Sequence, residues 1–221
     1  MKKSLLLTII ATLSIFCLSA DAGVLYSFKH IAECGDGPIE LANGAIGEAQ
    51  LFVELSNLSA TQVLFNFTNI GPSASSIADI YFDDGELLDI ASIDNSCRGV
   101  LFSQFATPHN LPGGQNLLPP FVTTEGFSAD SDPPVQYNGV NPNEWVGIAF
   151  NLKSGKTYDD VVSNLASGQL RIGIHVQGFA SYRCGDGGSE AFVNNGVVPE
   201  PATITILSAG LGVITLLRRR K

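Results

Sequence analysis

Two tight groups of acids, Asp83-Asp84-Gly85-Glu86 and Asp130-Ser131-Asp132, bring together the oxygen ligands that a hard cation such as calcium selects. Neither continues into a twelve-residue loop with a distal glutamate, so Asp83, Asp84, Asp130 and Asp132 are candidate calcium ligands without a complete loop motif. No other cofactor is indicated. The histidines, His30, His109 and His175, lie far apart, and none has the i, i+4 spacing of a helical zinc site. His175 sits in an alternating stretch with Ile174 and Val176 turned the other way, which predicts a structural hydrogen bond or solvent contact rather than catalysis. There is no Gly-x-Ser-x-Gly elbow and no local Cys–His phrase, and Ser154-Gly155-Lys156 lacks the glycines of a phosphate cradle. Glu125 and Glu144 can be paired as glycosidase acids on paper, but that mechanism is decided by their separation in space. The expectation is a protein with no catalytic residue, not an enzyme.

Carbohydrate recognition combines an exposed aromatic ring with amide and carboxylate side chains. Tyr137, Asn138, Asn143, Glu144 and Trp145 supply those types, which makes Tyr137 and Trp145 the candidate glycan contacts. Trp145 also opens the apolar stretch 145–150, and that favours a core tryptophan. A secreted carbohydrate-binding or adhesion module is therefore the alternative function, with a secreted glycan hydrolase behind it.

The positioning of these residues depends on what the two ends do. Lys2 and Lys3 precede an apolar stretch, residues 5–18, and then Ala20-Asp21-Ala22 ahead of Gly23, the pattern a signal peptidase cuts after. Residues 1–22 are read as a signal peptide. A lipid anchor on Cys17 is disfavoured by the bulky Phe16 before it. At the other end come Val198-Pro199-Glu200-Pro201, an apolar run over 202–217, and Arg218-Arg219-Arg220-Lys221. The prolines keep the backbone extended, the run is barely long enough to enter a bilayer as a helix, and the cations resist crossing it. An ordinary single-span anchor is the plainer reading of this tail.

The order of these parts resembles the PEP-CTERM sorting signal of Gram-negative bacteria that make extracellular polysaccharide. In that family an exosortase, a membrane-embedded cysteine transpeptidase, is thought to recognise Pro-Glu-Pro and remove the helix. The resemblance implies signal peptidase and exosortase as partners, an inner-membrane intermediate, and a final place at the cell surface or outside the cell, near exopolysaccharide. Stretches 127–134, 141–145 and 174–179 also resemble other PEP-CTERM proteins without known activity. These likenesses imply sorting and no chemistry.

Residues 23–197 then form one domain, and 198–221 the sorting signal. Within 23–197 six cations face nineteen acids, a net charge of −13. Nucleic acid is excluded as a partner, because phosphate backbones demand clustered Lys and Arg. Three cysteines remain there, Cys34, Cys97 and Cys184. In an oxidising exterior at least two should pair, and Cys34 with Cys184, which share the phrase Cys-Gly-Asp-Gly, is the expected disulfide, although three pairings are open. Closing that loop would contribute about 4–5 kcal/mol in the chain-entropy view.

Strand-like stretches cover 50–55, 61–69, 77–82, 100–105, 145–151 and 170–177, with Phe65 and Phe67 sharing one face and Leu170, Ile172, Ile174 and Val176 another. Turn residues separate them at Asn43-Gly44, Gly71-Pro72, Asp84-Gly85, Pro112-Gly113-Gly114 and Asn138-Gly139. The pattern predicts an all-β fold, an antiparallel β-sandwich or jelly roll, with one short helix. That helix is marked by Thr157 as cap, Asp159 and Asp160 in its first turn, an apolar stripe of Val161, Val162 and Leu165, and Gly168 as stop; it is expected to cover an open end of the fold. Residues 107–142 read as a long structured surface loop.

Overall fold

Alternation of apolar and polar residues dominates the architecture. The computed structural model describes residues 23–33, 35–179 and 188–198. Ten strands run β1 (Val24–His30), β2 (Leu51–Ser59), β3 (Gln62–Asn69), β4 (Ser76–Asp83), β5 (Leu87–Asp94), β6 (Phe102–Gln104), β7 (Ser128–Ser131), β8 (Glu144–Leu152), β9 (Arg171–Phe179) and β10 (Gly188–Val197). All pair antiparallel in one sheet, ordered β5-β8-β3-β2-β1-β10-β9-β4-β7-β6. The all-β expectation holds at that level. Instead of two facing sheets, one sheet curls into a nearly closed barrel, bringing its edge strands β5 and β6 together.

A side chain bridges that seam. Asn95, just past β5, donates from Nδ2 to the Phe102 carbonyl at 3.0 Å and accepts the Phe102 N–H on Oδ1 at 2.9 Å. The amide thus stands in for a peptide group where the edges no longer run side by side.

Inward residues alternate as the strand period requires: Leu51, Val53 and Leu55 on β2, Val63, Phe65 and Phe67 on β3, Val146, Ile148 and Phe150 on β8, and Ile172, Ile174 and Val176 on β9, all buried. Phe82 packs at the centre, with ring centroids 5.1 Å from Phe65, 6.1 Å from Phe67 and 4.7 Å from Phe150.

β4 is buried on both faces. Its outer face is covered by the segment read as a surface loop, which carries Leu111 and Phe121, with Ala106 just before it, onto Tyr81, Ile31 and Ala191 as a second apolar cluster. The same stretch contains β7, a 3-10 turn at Gly114–Asn116 and helix α2 (Val135–Asn138). Close approach is built in, since a Cβ at Gly173 of β9 would lie 2.5 Å from Leu111 Cδ2.

The marked helix forms as α3 (Tyr158–Ser167). Thr157 Oγ1 accepts the Asp160 N–H at 3.3 Å, the Asp160 carboxylate accepts the Thr157 N–H at 2.8 Å, and Gly168 ends the helix at φ 74. Val161 and Leu165 bury into the barrel interior, and the Tyr158 hydroxyl donates to the Leu55 carbonyl at 3.2 Å.

One helix contradicts the sequence reading. Asn43-Gly44, expected as a turn, lies inside α1 (Pro38–Gln50). Pro38 opens it, and Glu40 Oε2 accepts the Gly37 N–H at 2.9 Å. Its glycines permit contact rather than flexibility. A Cβ on Gly44 would meet His30 Nδ1 at 2.5 Å, and one on Gly47 would run into the Phe192 ring. Helix propensity alone favours alanine over glycine by about 1 kcal/mol, whereas forcing a methyl against a buried ring costs about 1–3 kcal/mol. Gly47→Ala is therefore expected to lower stability in urea denaturation; a stabilised variant would show that propensity wins.

Candidate functional site

Cys34, Cys184 and the segments 1–22 and 199–221 lie outside the described residues. These include the signal peptide, Pro199, Glu200, Pro201, the apolar run and the basic end. Cys97 has no disulfide partner among the described residues and is half-buried against the core.

The acidic groups are largely spent on the protein itself. Asp83 pairs with the Arg171 guanidinium, which also donates to the carbonyls of Pro119 and Pro120 and lies over the Phe121 ring. Asp84 takes Lys153 at 3.2 Å and the Leu87 N–H at 2.7 Å, while Glu86 takes Lys156 at 3.0 Å. Each carboxylate thereby has a cation, as a turn between strands needs and a calcium loop does not. Among the described residues no group of three or more His, Cys, Asp or Glu side chains is placed to hold a metal, at Asp83 and Asp84 or at Asp130 and Asp132.

Asp130 instead belongs to a row crossing four strands. The pairing registers align Ser103 of β6 with Asp130 of β7, Asp130 with Asp79 of β4, and Asp79 with His175 of β9. Asp79 is buried and its Oδ2 lies 2.8 Å from His175 Nδ1, so His175 makes the structural hydrogen bond expected of it. Burial and the neighbouring Asp79 carboxylate raise Asp130 to about 7, against a lowering contribution from the Thr107 N–H. Asp79 was not singled out in the sequence; its signal is a lone acid inside Ile77-Ala78-Asp79-Ile80-Tyr81-Phe82. The Tyr81 hydroxyl on the same outer face donates to the Pro108 carbonyl at 3.0 Å.

The other histidines stay apart. His30 Nε2 lies 3.0 Å from Glu190 Oε2, whose other oxygen accepts from Asn43 Nδ2 at 3.3 Å, and His109 is exposed. Glu144 is bound to the Asn141 main-chain and side-chain nitrogens at 2.9 and 3.0 Å, and Glu125 is exposed.

Trp145 does not line the groove that Tyr137 borders. Trp145 is half-buried, on the outward side of β8 opposite the inward Val146, and is not part of the core cluster. The core reading fails because strand phase, not residue type, decides which side of the sheet it takes. Tyr137 is 78% exposed and borders a groove of about 400 Å³ with Pro72, Ala74, Ser76, Gln136 and Asn141. A larger hollow of about 540 Å³ lies where β10 ends, beside Tyr26, Leu165 and Val197.

Val198, the first residue of the tail motif, donates its N–H to the Leu25 carbonyl at 2.8 Å, so the tail leaves from paired backbone. The body is thus a mostly-β, antiparallel barrel-like domain with a C-terminal extension rooted in its sheet. Residues 197–221 match the model of the PEP-CTERM protein-sorting motif, confirming the resemblance drawn from Val198, Pro199, Glu200 and Pro201. The motif implies an exported, cell-surface-associated protein processed by an exosortase. No curated protein and no solved structure matched the chain. Among the described residues no helix is long and apolar enough to cross a membrane.

Proposed function

We propose that this protein is a non-enzymatic surface or matrix component: a signal peptide exports it, the exosortase removes its C-terminal helix, and the barrel is the portion displayed. The observation that carries this reading is the match of 197–221 to the sorting motif. Two features support the boundaries. The first strand begins at Val24, so a signal peptidase cut after Ala22 leaves the barrel whole. The last strand ends at Val197, so removing the tail beyond Pro201 takes nothing from the sheet. Internal pairing of the polar side chains supports a display role, since His30, His175, Asp83, Asp84 and Glu144 each already hold a protein partner.

Mass spectrometry of the protein recovered from its native cells tests the reading. The expected mature form begins at Gly23 and lacks the apolar run and the basic end. Replacing Pro199, Glu200 and Pro201 together by alanine should leave most of the protein in the membrane at its longer C-terminal length. A wild-type C-terminus at Lys221, unchanged by that replacement, would leave a simple membrane anchor in place of sorting.

A further inference from the structure

We infer that the groove beside α2 is a binding site for a neutral carbohydrate, with the Tyr137 ring as its stacking face and the Ser76 hydroxyl as a buried polar contact. This goes beyond sorting and does not rest on it, because a protein still carrying its tail would have the same groove.

Tyr137 is 78% exposed, yet its backbone is fixed. Its N–H donates to the Pro134 carbonyl at 2.9 Å, Asn138 Nδ2 donates to the Asp132 carbonyl at 2.8 Å, and Asn141 Nδ2 donates to the carbonyls of Tyr137 and Gly139 at 3.3 and 3.1 Å. An aromatic ring presented on a held backbone offers contact area at low ordering cost. Across the groove Ser76 is 2% exposed, and its Oγ has no hydrogen-bond partner among the described residues. Folded proteins normally satisfy such a group, so a ligand hydroxyl is the complement it lacks. Gly139 lets the α2 segment pack directly on β4, because a Cβ there would strike Ser76 Oγ and approach the Ile77 carbonyl oxygen at 2.5 Å. Asn141 has committed its amide nitrogen, which leaves its carbonyl oxygen as the acceptor for a ligand hydroxyl.

Charge decides between ligand classes. None of the residues lining the groove is charged, although residues 23–197 carry −13. A polyanion would be repelled by the surrounding acid and find no cation in the groove, and a cation would find no carboxylate on its lining. A neutral polyol fits: hydroxyls for Ser76, Gln136 and Asn141, and a C–H face for Tyr137 and the ring of Pro142. At about 400 Å³ the groove takes roughly one or two sugar rings, toward the small end of ligand clefts.

The test is isothermal titration of the full-length protein in detergent with maltohexaose, cellohexaose and dextran as neutral probes and alginate as a polyanion. At least one neutral probe should bind and alginate should not. Tyr137→Ala should weaken that binding at least tenfold, Tyr137→Phe should keep most of it, and Ser76→Ala should weaken it several-fold. Unchanged near-ultraviolet circular dichroism would establish that the variants remain folded; should Ser76→Ala unfold, the two Tyr137 variants decide alone. Failure of all three neutral probes, tighter binding of alginate, or Tyr137→Ala binding as well as wild type would each overturn the assignment. None of these outcomes touches the mass of the processed tail, so the two readings fail separately.

Discussion

Phe82→Ala is expected to remove about 3–5 kcal/mol of stability, read as a lower urea midpoint with little change in slope. Phe82 is fully buried on β4, where its ring meets Phe65 and Phe150 edge-on and Phe67 at a near-perpendicular angle. These partners come from β3 and β8, on the far side of the barrel in strand order, so the contact ties the wall together across its interior. Truncation removes the buried ring and leaves a cavity that the packed strands β3, β4 and β8 cannot easily collapse into. Against a typical total of about 5–15 kcal/mol, this one change consumes a large share. The contrast is Leu118→Ala. Leu118 is 95% exposed, and its loss should stay within about 0.5 kcal/mol. Similar losses at both positions would mean that the rings of β3, β4 and β8 do not share one interior.

Most strands that could be read in advance put one face inward and the other to water, while β4, buried on both faces, was legible as a continuous apolar run. β2, β3, β8 and β9 form where expected, and β3 and β9 keep the phase read for them, because each carries its inward apolar residues at every second position. β5 and β7 were missed for the same reason in reverse: β5 is an edge strand buried strongly at Leu87 alone, and β7 is four small or acidic residues. β1 and β10 lie against stretches read as a signal and a tail, and their bulged registers blur the alternation. Nothing local distinguishes a barrel from a sandwich, since inward alternation is common to both and strand order is set by distant pairings. In 107–142 the prolines and glycines correctly signal irregular backbone, but burial there comes from isolated residues, Leu111 and Phe121, that have no period to detect. Site residues follow the same division. Tyr137 is exposed as a binding residue should be, and its loop position made it visible. The Asp79–Asp130–His175 row exists only through the registers of two strand pairs, which join residues 51 and 96 positions apart.

That row gives the body its largest expected dependence on pH. Asp130 is raised from its ordinary 3.8 to about 7, by burial first and by Asp79 second, so between those pH values the folded chain holds a proton that the unfolded chain has released. Stability from this group is accordingly full below about pH 3.8 and is lost as pH rises through about 7. Other groups face it: Asp132 adds like charge, Tyr81 carries its hydroxyl at the same surface and is itself raised by burial and both carboxylates, and His175 holds the far side of Asp79. Above pH 7 the ionised Asp130 carboxylate faces the Asp79 side chain across β4 and β7, with the Thr107 N–H and the His175 ring as the hydrogen-bonding relief. The strands at stake are the short ones, β6 and β7, which close the seam onto β5. Hydrogen exchange of the β7 amides should therefore speed up between pH 6 and pH 8 beyond the intrinsic base-catalysed increase, and the urea midpoint should fall over the same interval. Asp130→Asn keeps a donor toward Asp79 but cannot ionise, so it should flatten that fall and leave the pH 8 midpoint above that of the wild type. An equally steep fall in Asp130→Asn would place the titration elsewhere in the acidic surface.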